Sequence, residues 1–282
     1  MRIPRPVLLI HGGAGNRSAP KRLAQVRRSL RAICLEAYEY LRTHSAFESV
    51  AFAVRQLEDD PLFNAGTGSF LQRDGRVRMS ASIMDGCSRR FASVLNIEQV
   101  KNPILVAKTL LRERDRSLAG PWATRFAQSL GFPTGGLITP TRLRQWQQQR
   151  QQDHGTVGAV ALDGAGRLAA ATSTGGKGCE RPGRVSDSGL PVGTYADEHA
   201  AISCTGIGED IMDEGLAIRL AHEVRHVTTV TRAFFSIFQG CRAAHRRAGA
   251  IGLDRHGQWA WSTTLPLLCA MGARAGRLEG SF

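Results

Sequence analysis

The motif with the most recognisable chemistry in this sequence is His222-Glu223-Val224-Arg225-His226, which has the H-E-x-x-H form of a zinc-binding helix. Residues four apart share one face of a helix, so both imidazoles could bind Zn²⁺ while the glutamate acts as a base. No third ligand follows at a suitable spacing, because the only later glutamate is Glu279 and Asp254 stands in a turn sequence. The pattern therefore favours a solvent-exposed helix face over a zinc peptidase.

Two other short segments contain residue types used in catalysis or phosphate binding, but neither has the usual context. Residues 186–189 (Ser-Asp-Ser-Gly) are similar to the nucleophile loop of trypsin-like proteases, yet no matching histidine and aspartate motifs accompany them. Residues 175–178 (Gly-Gly-Lys-Gly) are too short for a phosphate-binding loop, and the chain has no Walker A sequence. The sequence therefore does not support a serine protease or a P-loop enzyme.

A longer, ordered series of motifs is rich in glycine, serine and threonine. The series comprises HGGAG (11–15), LEDDPLFNAGTGS (57–69), ASIMDG (81–86), HGTVGAVALD (154–163), ATSTGG (171–176), PGRVSDS (182–188), GTYAD (193–197) and SCTGIGE (203–209). Together these motifs closely resemble the plant-type asparaginase and isoaspartyl peptidase family of N-terminal-nucleophile (Ntn) hydrolases. The resemblance extends over about residues 8–209 and weakens beyond them.

The resemblance implies an inactive precursor that cleaves itself between Gly155 and Thr156. The Thr156 hydroxyl would attack the Gly155 carbonyl to give an ester, which water then opens. The new α-amine of Thr156 would ordinarily titrate near pH 7.7–8.0, so it can act as the general base for its own hydroxyl. A single domain (1–282) would thus be divided into an α subunit (1–155) and a β subunit (156–282).

Other roles are implied by position within the matching motifs. Thr174 corresponds to the second active-site threonine of the family, and Asn64 corresponds to a residue that positions the nucleophile. Thr205 and Gly206 correspond to the pair that stabilises the oxyanion, through one hydroxyl and one backbone N–H.

The expected head-group site uses two charged residues. Arg184 would bind the substrate α-carboxylate through its planar guanidinium, and Asp187 would bind the α-ammonium. The side-chain amide of the substrate would then face the nucleophile. The expected substrates are β-aspartyl (isoaspartyl) dipeptides and L-asparagine. The alternatives are an aspartylglucosaminidase-like amidase that takes glycosylated asparagine, an unprocessed basic binding protein and, last, the zinc peptidase at His222 and His226.

The resemblance implies no catalytic cofactor, but it does imply a structural sodium ion bound mainly by main-chain carbonyls. By position, the candidate ligands are Leu57, Glu58, Asp60, Phe63, Ala65 and Thr67. The sequence also departs from the family pattern at several places. These are Ser80 in place of an aspartate, Arg78 in place of an acid, Ser186 in place of a glycine, residues 246–249 without a double glycine, and Thr263-Thr264 in place of Asn-Thr.

Hydrophobic periodicity indicates the elements that must position these residues. Residues 7–10 form a short strand that enters a glycine-rich loop. Expected helices cover residues 23–41, 47–57, 103–114, 142–152 (polar and exposed), 210–225 and 231–245, and expected hairpins cover 70–79, 156–173 and a similar repeat from 249. This order of strands and helices predicts a layered α+β fold, and the resemblance implies a four-layer αββα sandwich with two αβ units paired as (αβ)2.

Length and composition fit a globular protein with a sizeable core. The chain has 282 residues, of which 42% are hydrophobic, and a formal net charge of +13. The excess arginines are spread along the chain without a nucleic-acid-reading motif, so a nucleic-acid partner is not expected. Six widely spaced cysteines predict reduced thiols, and no apolar run reaches the ~20 residues of a membrane span. We therefore expect a cytoplasmic enzyme that acts on a small molecule or dipeptide.

Overall fold

The computed structural model describes residues 5–15, 19–148, 155–226 and 229–281, which contain two β-sheets lying face to face. In order across the first sheet, the strands are β12 (Arg277–Ser281), β11 (Leu267–Arg274), β1 (Val7–Gly15), β5 (Val157–Leu162), β6 (Leu168–Thr174), β2 (Met79–Asp85), β3 (Arg90–Ile97) and β4 (Ser117–Ala119). In the second sheet they are β10 (Trp259–Thr263), β9 (Ala248–Asp254), β8 (Ala200–Gly206) and β7 (Thr194–Ala196). All neighbouring strands are antiparallel except the β3–β4 pair.

Helices cover the outer face of each sheet. The helices are α1 (Pro20–Leu41), α2 (Ala46–Asp59), α3 (Pro103–Leu110), α4 (Gly120–Ser129), α5 (Pro140–Gln147), α6 (Gly208–Glu214), α7 (Leu216–His226) and α8 (Val230–Ala243). Helices α1 to α3 contact the first sheet, whereas α7 and α8 contact the second. The predicted four-layer αββα sandwich is therefore confirmed. No helix within the described ranges is long and apolar enough to cross a membrane.

The alternation of side chains along each strand separates two cores. On β1, Leu8 and Ile10 lie in the core beneath the helices, whereas Val7 and Leu9 lie in the core between the sheets. Both faces of this strand are buried, which explains why residues 7–10 are apolar without a break. A residue near the end of a strand, on the face that points towards the other sheet, therefore lies at the edge of the space between the two sheets.

The sequence repeat predicts two similar hairpins, which the structure confirms and places in different sheets. The β5–β6 hairpin turns at Asp163, whose carboxylate accepts the backbone N–H groups of Ala165 and Arg167. The β9–β10 hairpin turns at Asp254, which accepts from His256 and Gln258 in the same way. Asp254 is therefore a turn residue.

Three expected elements differ in the structure. Residues 70–78 form a turn without paired strands, closed by the Gln72 N–H on the Arg76 carbonyl (2.9 Å), so the hairpin prediction over 70–79 is wrong. Helix α3 ends at Leu110 rather than near residue 114, and the helix predicted over 210–225 is divided at Gly215, whose φ of +55° ends α6.

Helix α5 differs in its environment as well as its length. It ends at Gln147, and the predicted continuation over 149–152 lies outside the described residues. The helix is docked rather than fully exposed, because the buried Arg142 guanidinium donates to the carbonyls of Gly68 (2.5 Å) and Phe63 (3.4 Å). A binary hydrophobic pattern treats arginine as a surface residue and misses this anchor.

Candidate active site

Three threonines that are far apart in the sequence reach one edge of the inter-sheet space. Ala170 of β6 lies in the inter-sheet core, so Thr174, at an even spacing along the strand, points the same way. Ala201 of β8 also lies in that core, and the same alternation turns Thr205 inward. Thr156 stands immediately before β5, the neighbour of β6. The fold thus brings a hydroxyl from each of three segments towards one place.

The hydroxyls of Thr156 and Thr174 are in direct contact. Thr156 Oγ1 donates a hydrogen bond to Thr174 Oγ1 over 3.0 Å, and the Gly176 N–H donates to the same Thr174 oxygen over 3.2 Å. Both threonines are buried. The Thr156 proton therefore already points at an acceptor, while its oxygen lies beside the preceding peptide bond.

Asn64 holds the peptide bond that precedes Thr156. Its backbone N–H donates to the Gly155 carbonyl over 3.3 Å, and its own carbonyl accepts from the Gly175 N–H over 2.9 Å. Its side-chain amide donates to the Gly176 carbonyl over 2.5 Å and accepts from the Phe70 N–H over 2.8 Å. A Cβ at residue 155 would lie 2.9 Å from the Asn64 Cβ, so the position fits glycine. Asn64 thus contacts both the residue that leads into Thr156 and the two glycines that follow β6.

Thr205 has its hydroxyl oriented by the chain itself. The Ala14 N–H donates to Thr205 Oγ1 over 3.2 Å and links the end of β1 to the end of β8. Since this oxygen accepts from Ala14, the hydroxyl proton remains available to a second acceptor. The next residue, Gly206, has a φ of +131°, and a Cβ there would lie 2.6 Å from the Arg247 carbonyl oxygen. Glycine is therefore required at this position.

A chain of buried polar side chains lies beneath this edge. Thr194 Oγ1 donates a hydrogen bond to Thr172 Oγ1 over 2.6 Å. The same Thr172 oxygen lies 2.7 Å from Ser203 Oγ. Ser203 Oγ in turn lies 2.9 Å from His11 Nε2. Burial lowers the pKa of His11 to about 3, partly opposed by the Thr156 backbone, so the imidazole is neutral. The chain therefore joins four strands without adding a charge near Thr156.

The charged side chains lie in a separate group. Arg184 donates from Nε and Nη2 to the two carboxylate oxygens of Glu209, over 2.8 and 2.7 Å. Lys177 Nζ also contacts Glu209, at 3.1 Å. These cations hold the pKa of Glu209 at about 2, against its partial burial. Glu209 is therefore ionised at any working pH.

Asp187 is buried beside this group and is only partly satisfied. Its Oδ1 accepts from the Ser186 hydroxyl over 2.9 Å, whereas Oδ2 has no hydrogen-bond partner among the described residues. Burial raises the pKa of Asp187 to about 7, with Ser186 and Arg184 opposing the shift. A Cβ at Gly208 would lie 2.7 Å from Arg184 Nη2 and 2.9 Å from Asp187 Oδ1, so both side chains face that glycine. An unpaired buried carboxylate oxygen of this kind fits a cationic ligand group.

The loop expected to bind sodium begins at the end of α2. The Leu57 carbonyl lacks its usual helical donor because the residue four positions later is Pro61. The Glu58 carbonyl accepts the Thr67 N–H over 2.8 Å, and Gly66, with a φ of +51°, allows this close approach. The helix end directs partial negative charge towards the loop, so these residues fit a monovalent cation at the Leu57 end. The carbonyls of Glu58, Asp60 and Phe63 each already accept one hydrogen bond, so each has one lone pair left for a cation.

The zinc interpretation finds no support in the geometry. His222 and His226 are exposed on α7 with ring centroids 4.5 Å apart. Within the described ranges, no group of three or more histidine, cysteine or acidic side chains could hold a metal ion. The histidine pair is therefore a helix surface feature.

Sequence reasoning gave no role to two of the charged residues. Glu209 stands at the end of a matching motif, and Lys177 lies in the short glycine-rich segment that fits no phosphate loop. Their pairing joins residues 32 positions apart, which no periodicity reveals. In the sequence, the pair is indicated only by the opposite charges of Lys177 and Glu209, which lie in or beside two of the glycine-containing motifs.

Comparison with known proteins agrees with the motif resemblance along the chain. A family model described as asparaginase matches residues 4–154 and 149–278. A protein named isoaspartyl peptidase/L-asparaginase from a Nostoc species is 43% identical, over 94% of this chain and 91% of its own. A protein of the same name from Bos taurus is 35% identical, over 98% and 96% respectively. A protein named plant-type L-asparaginase from Pyrococcus horikoshii is 38% identical over 76% of each chain. The similarity therefore continues past residue 209, where the motifs weaken.

Proposed function

This chain belongs to the asparaginase family of Ntn hydrolases, and from that premise we propose that it is a self-processing threonine amidohydrolase. Its proposed substrates are β-aspartyl dipeptides and L-asparagine, the substrates that the names of the relatives indicate. The observation that carries the proposal is the buried Thr156–Thr174 hydrogen bond beside the Gly155 carbonyl that Asn64 holds.

The first step is cleavage of the precursor. Thr156 Oγ1 attacks the Gly155 carbonyl carbon. The hydroxyl proton, which is hydrogen-bonded to Thr174 Oγ1 in the intact chain, is transferred through that hydroxyl to the nitrogen of the breaking peptide bond. The Asn64 N–H donates to the carbonyl oxygen as negative charge develops on it. The C–N bond breaks to leave an ester and a free amine on Thr156, and water then hydrolyses the ester to a carboxylate at Gly155.

The second step uses the newly exposed residue. The α-amine of Thr156 takes the proton of its own hydroxyl, which attacks the side-chain carbonyl of the substrate. Ammonia or an amino acid leaves, and water hydrolyses the acyl-Thr156 ester to release aspartate. The Thr205 hydroxyl and the Gly206 N–H are proposed to bind the oxyanion, and the Ala14 contact supports this role because it leaves the hydroxyl proton free.

The charged group supports recognition of an amino-acid head group. Arg184 is proposed to bind the α-carboxylate, and the unpaired Oδ2 of Asp187 is proposed to bind the α-ammonium. These contacts would fix one end of the substrate and leave its amide at Thr156.

The assembly and cellular setting belong to the same proposal. We expect an α subunit (1–155), a β subunit (156–282) and an (αβ)2 assembly, with a structural sodium ion at the Leu57 end of the 57–67 loop. All six cysteines are free thiols, which is compatible with the cytoplasm.

The proposal is tested by mass spectrometry after a day at neutral pH. The wild-type chain of 30.6 kDa should give two fragments that meet between Gly155 and Thr156, and the product should release ammonia from L-asparagine. Thr156→Ala should remain intact and inactive, whereas Thr156→Ser should retain slow cleavage because it keeps a hydroxyl.

Two results would redirect the assignment. A cleaved and active Thr156→Ala variant would overturn the mechanism, and an uncut wild-type chain would favour the basic binding protein. Faster hydrolysis of glycosylated asparagine than of the proposed substrates would indicate the aspartylglucosaminidase-like activity.

A further inference from the structure

The guanidinium proposed to bind the substrate already holds a carboxylate of the protein. Arg184 binds Glu209 through the edge formed by Nε and Nη2, with both oxygens engaged. Within the described part of the chain, Nη1 makes no hydrogen bond, so the adjacent edge, formed by Nη1 and the second hydrogen of Nη2, remains available to a second carboxylate. A guanidinium can bind two carboxylates in this way, one on each edge.

A second carboxylate on that edge would meet electrostatic repulsion from the first. Glu209 is ionised, and a substrate carboxylate on the other edge of Arg184 would lie on the order of 6 Å away, at hydrogen-bond distances. The single positive charge of Arg184 would then be shared between two negative charges, those of Glu209 and the substrate carboxylate. The site needs another cation if the α-carboxylate of the head group is to bind well.

Lys177 provides that cation. Its Nζ lies 3.1 Å from Glu209 Oε1, the oxygen that also accepts from Arg184 Nε. The backbone N–H of Lys177 donates to Glu180 Oε1 over 3.3 Å, so the residue is fixed at both ends. Glu180 is buried, and that burial raises the pKa of its carboxyl, with Arg184 opposing the shift.

We propose that Lys177 is a specificity-determining residue, which neutralises Glu209 so that Arg184 can accept the free α-carboxylate of the substrate. Glu209 is the positioning residue that fixes the guanidinium plane. The inference rests on the proposed function, and it defines the substrate class as L-asparagine and β-aspartyl compounds whose α-carboxylate is unblocked. Lys177 acts on the α-carboxylate rather than on the departing group, because its ammonium shares an oxygen with Arg184.

The test compares Lys177→Met with a matched control in the processed, full-length enzyme. Lys108→Met removes the same charge from another part-buried lysine–glutamate pair, between Lys108 and Glu48 on α3 and α2. For L-asparagine, Lys177→Met should raise KM by about two- to fivefold, the upper part of the range for an exposed ion pair, with kcat changed less than twofold. Lys108→Met should leave both constants unchanged.

Two further measurements isolate the carboxylate. L-asparaginamide carries an uncharged amide in place of the α-carboxylate, so Lys177→Met should change its kcat/KM less than twofold. In the Glu209→Gln background there is no charge to neutralise, so adding Lys177→Met should cause no further rise in KM for L-asparagine.

The outcomes separate the inference from the proposed function. If Lys177→Met behaves like Lys108→Met, or affects L-asparaginamide equally, the inference is wrong. An effect confined to β-aspartyl dipeptides would instead assign Lys177 to the carboxylate of the departing residue. A wild-type protein that neither hydrolyses L-asparagine nor binds L-aspartate by calorimetry would refute the proposed function itself, and the inference with it.

Discussion

Replacement of Thr205 by valine tests whether its hydroxyl stabilises the oxyanion. Valine keeps the shape of threonine and removes one oxygen, which at present accepts the Ala14 N–H over 3.2 Å. The side chain is fully buried, so no solvent molecule takes its place without rearrangement. The substitution therefore removes one hydrogen-bond donor from the site and one acceptor from Ala14.

The two losses have different magnitudes and different readouts. Removal of a single oxyanion donor typically lowers kcat by about 10²- to 10³-fold, which corresponds to about 2.7–4 kcal/mol. The Ala14 N–H, on a buried residue, loses its partner, which costs about 1–3 kcal/mol of folding stability. Native domains have about 5–15 kcal/mol of stability, so the variant should still fold.

The assay measures kcat for L-asparagine on protein already shown to be cleaved, alongside a thermal melt. Thr205→Val should lose at least about 100-fold in kcat with little change in KM, because the donor acts mainly in the transition state. Thr205→Ser keeps the hydroxyl and serves as the control, with most of the activity retained. A folded, cleaved Thr205→Val enzyme with kcat within threefold of wild type would refute the role of the hydroxyl.

Two further predictions concern buried carboxyl groups. Asp187 has a pKa of about 7 and must ionise to bind an ammonium, so KM for L-asparagine should fall as pH rises through 7. Asp187→Asn should raise KM about 10- to 150-fold, the range of a charged hydrogen bond. A KM profile over pH 5.5–8.5 that keeps its slope in the variant would contradict this role. Burial raises the pKa of Glu58 from 4.5 to about 8, so the folded state loses stability as pH rises between those values. The melting temperature of Glu58→Gln, measured relative to wild type, should therefore rise across that pH range. A difference in melting temperature that does not depend on pH would exclude the burial argument.

The layered fold followed from features that a sequence displays directly. The apolar run at Val7–Ile10, the N-cap Ser45, whose hydroxyl accepts the Glu48 N–H, and the Asp-containing turns each specify a local element. Where the prediction failed, the deciding contact was distant. Residues 70–78 lack paired strands, and their turn is held instead by Trp146 Nε1, which donates to the Gln72 carbonyl from α5.

The candidate site was predictable only where motifs carried the resemblance. Those motifs singled out Thr156 and Thr174, and the structure adds their 3.0 Å contact. They could not indicate that the backbone, rather than the side chain, of Asn64 meets the Gly155 carbonyl. A backbone contact leaves no trace in residue type, and an ion pair such as Lys177–Glu209 depends on how two loops approach each other.

The hydroxyl groups around Thr156 and the charged group of Arg184, Lys177 and Glu209 make separate contacts. This separation explains how one site can combine proton transfer with the binding of a charged head group. The described side chains that meet Thr156 or lie beneath it are neutral, including Thr174 and a His11 that burial keeps unprotonated. An α-amine there would exchange its proton without a fixed charge beside it, which suits a base that must give and take a proton at each turnover. Had Arg184 or Lys177 stood beside the amine, the positive charge would have lowered its basicity. Because these cations instead pair with Glu209, we expect separate substitutions to change head-group binding and proton transfer.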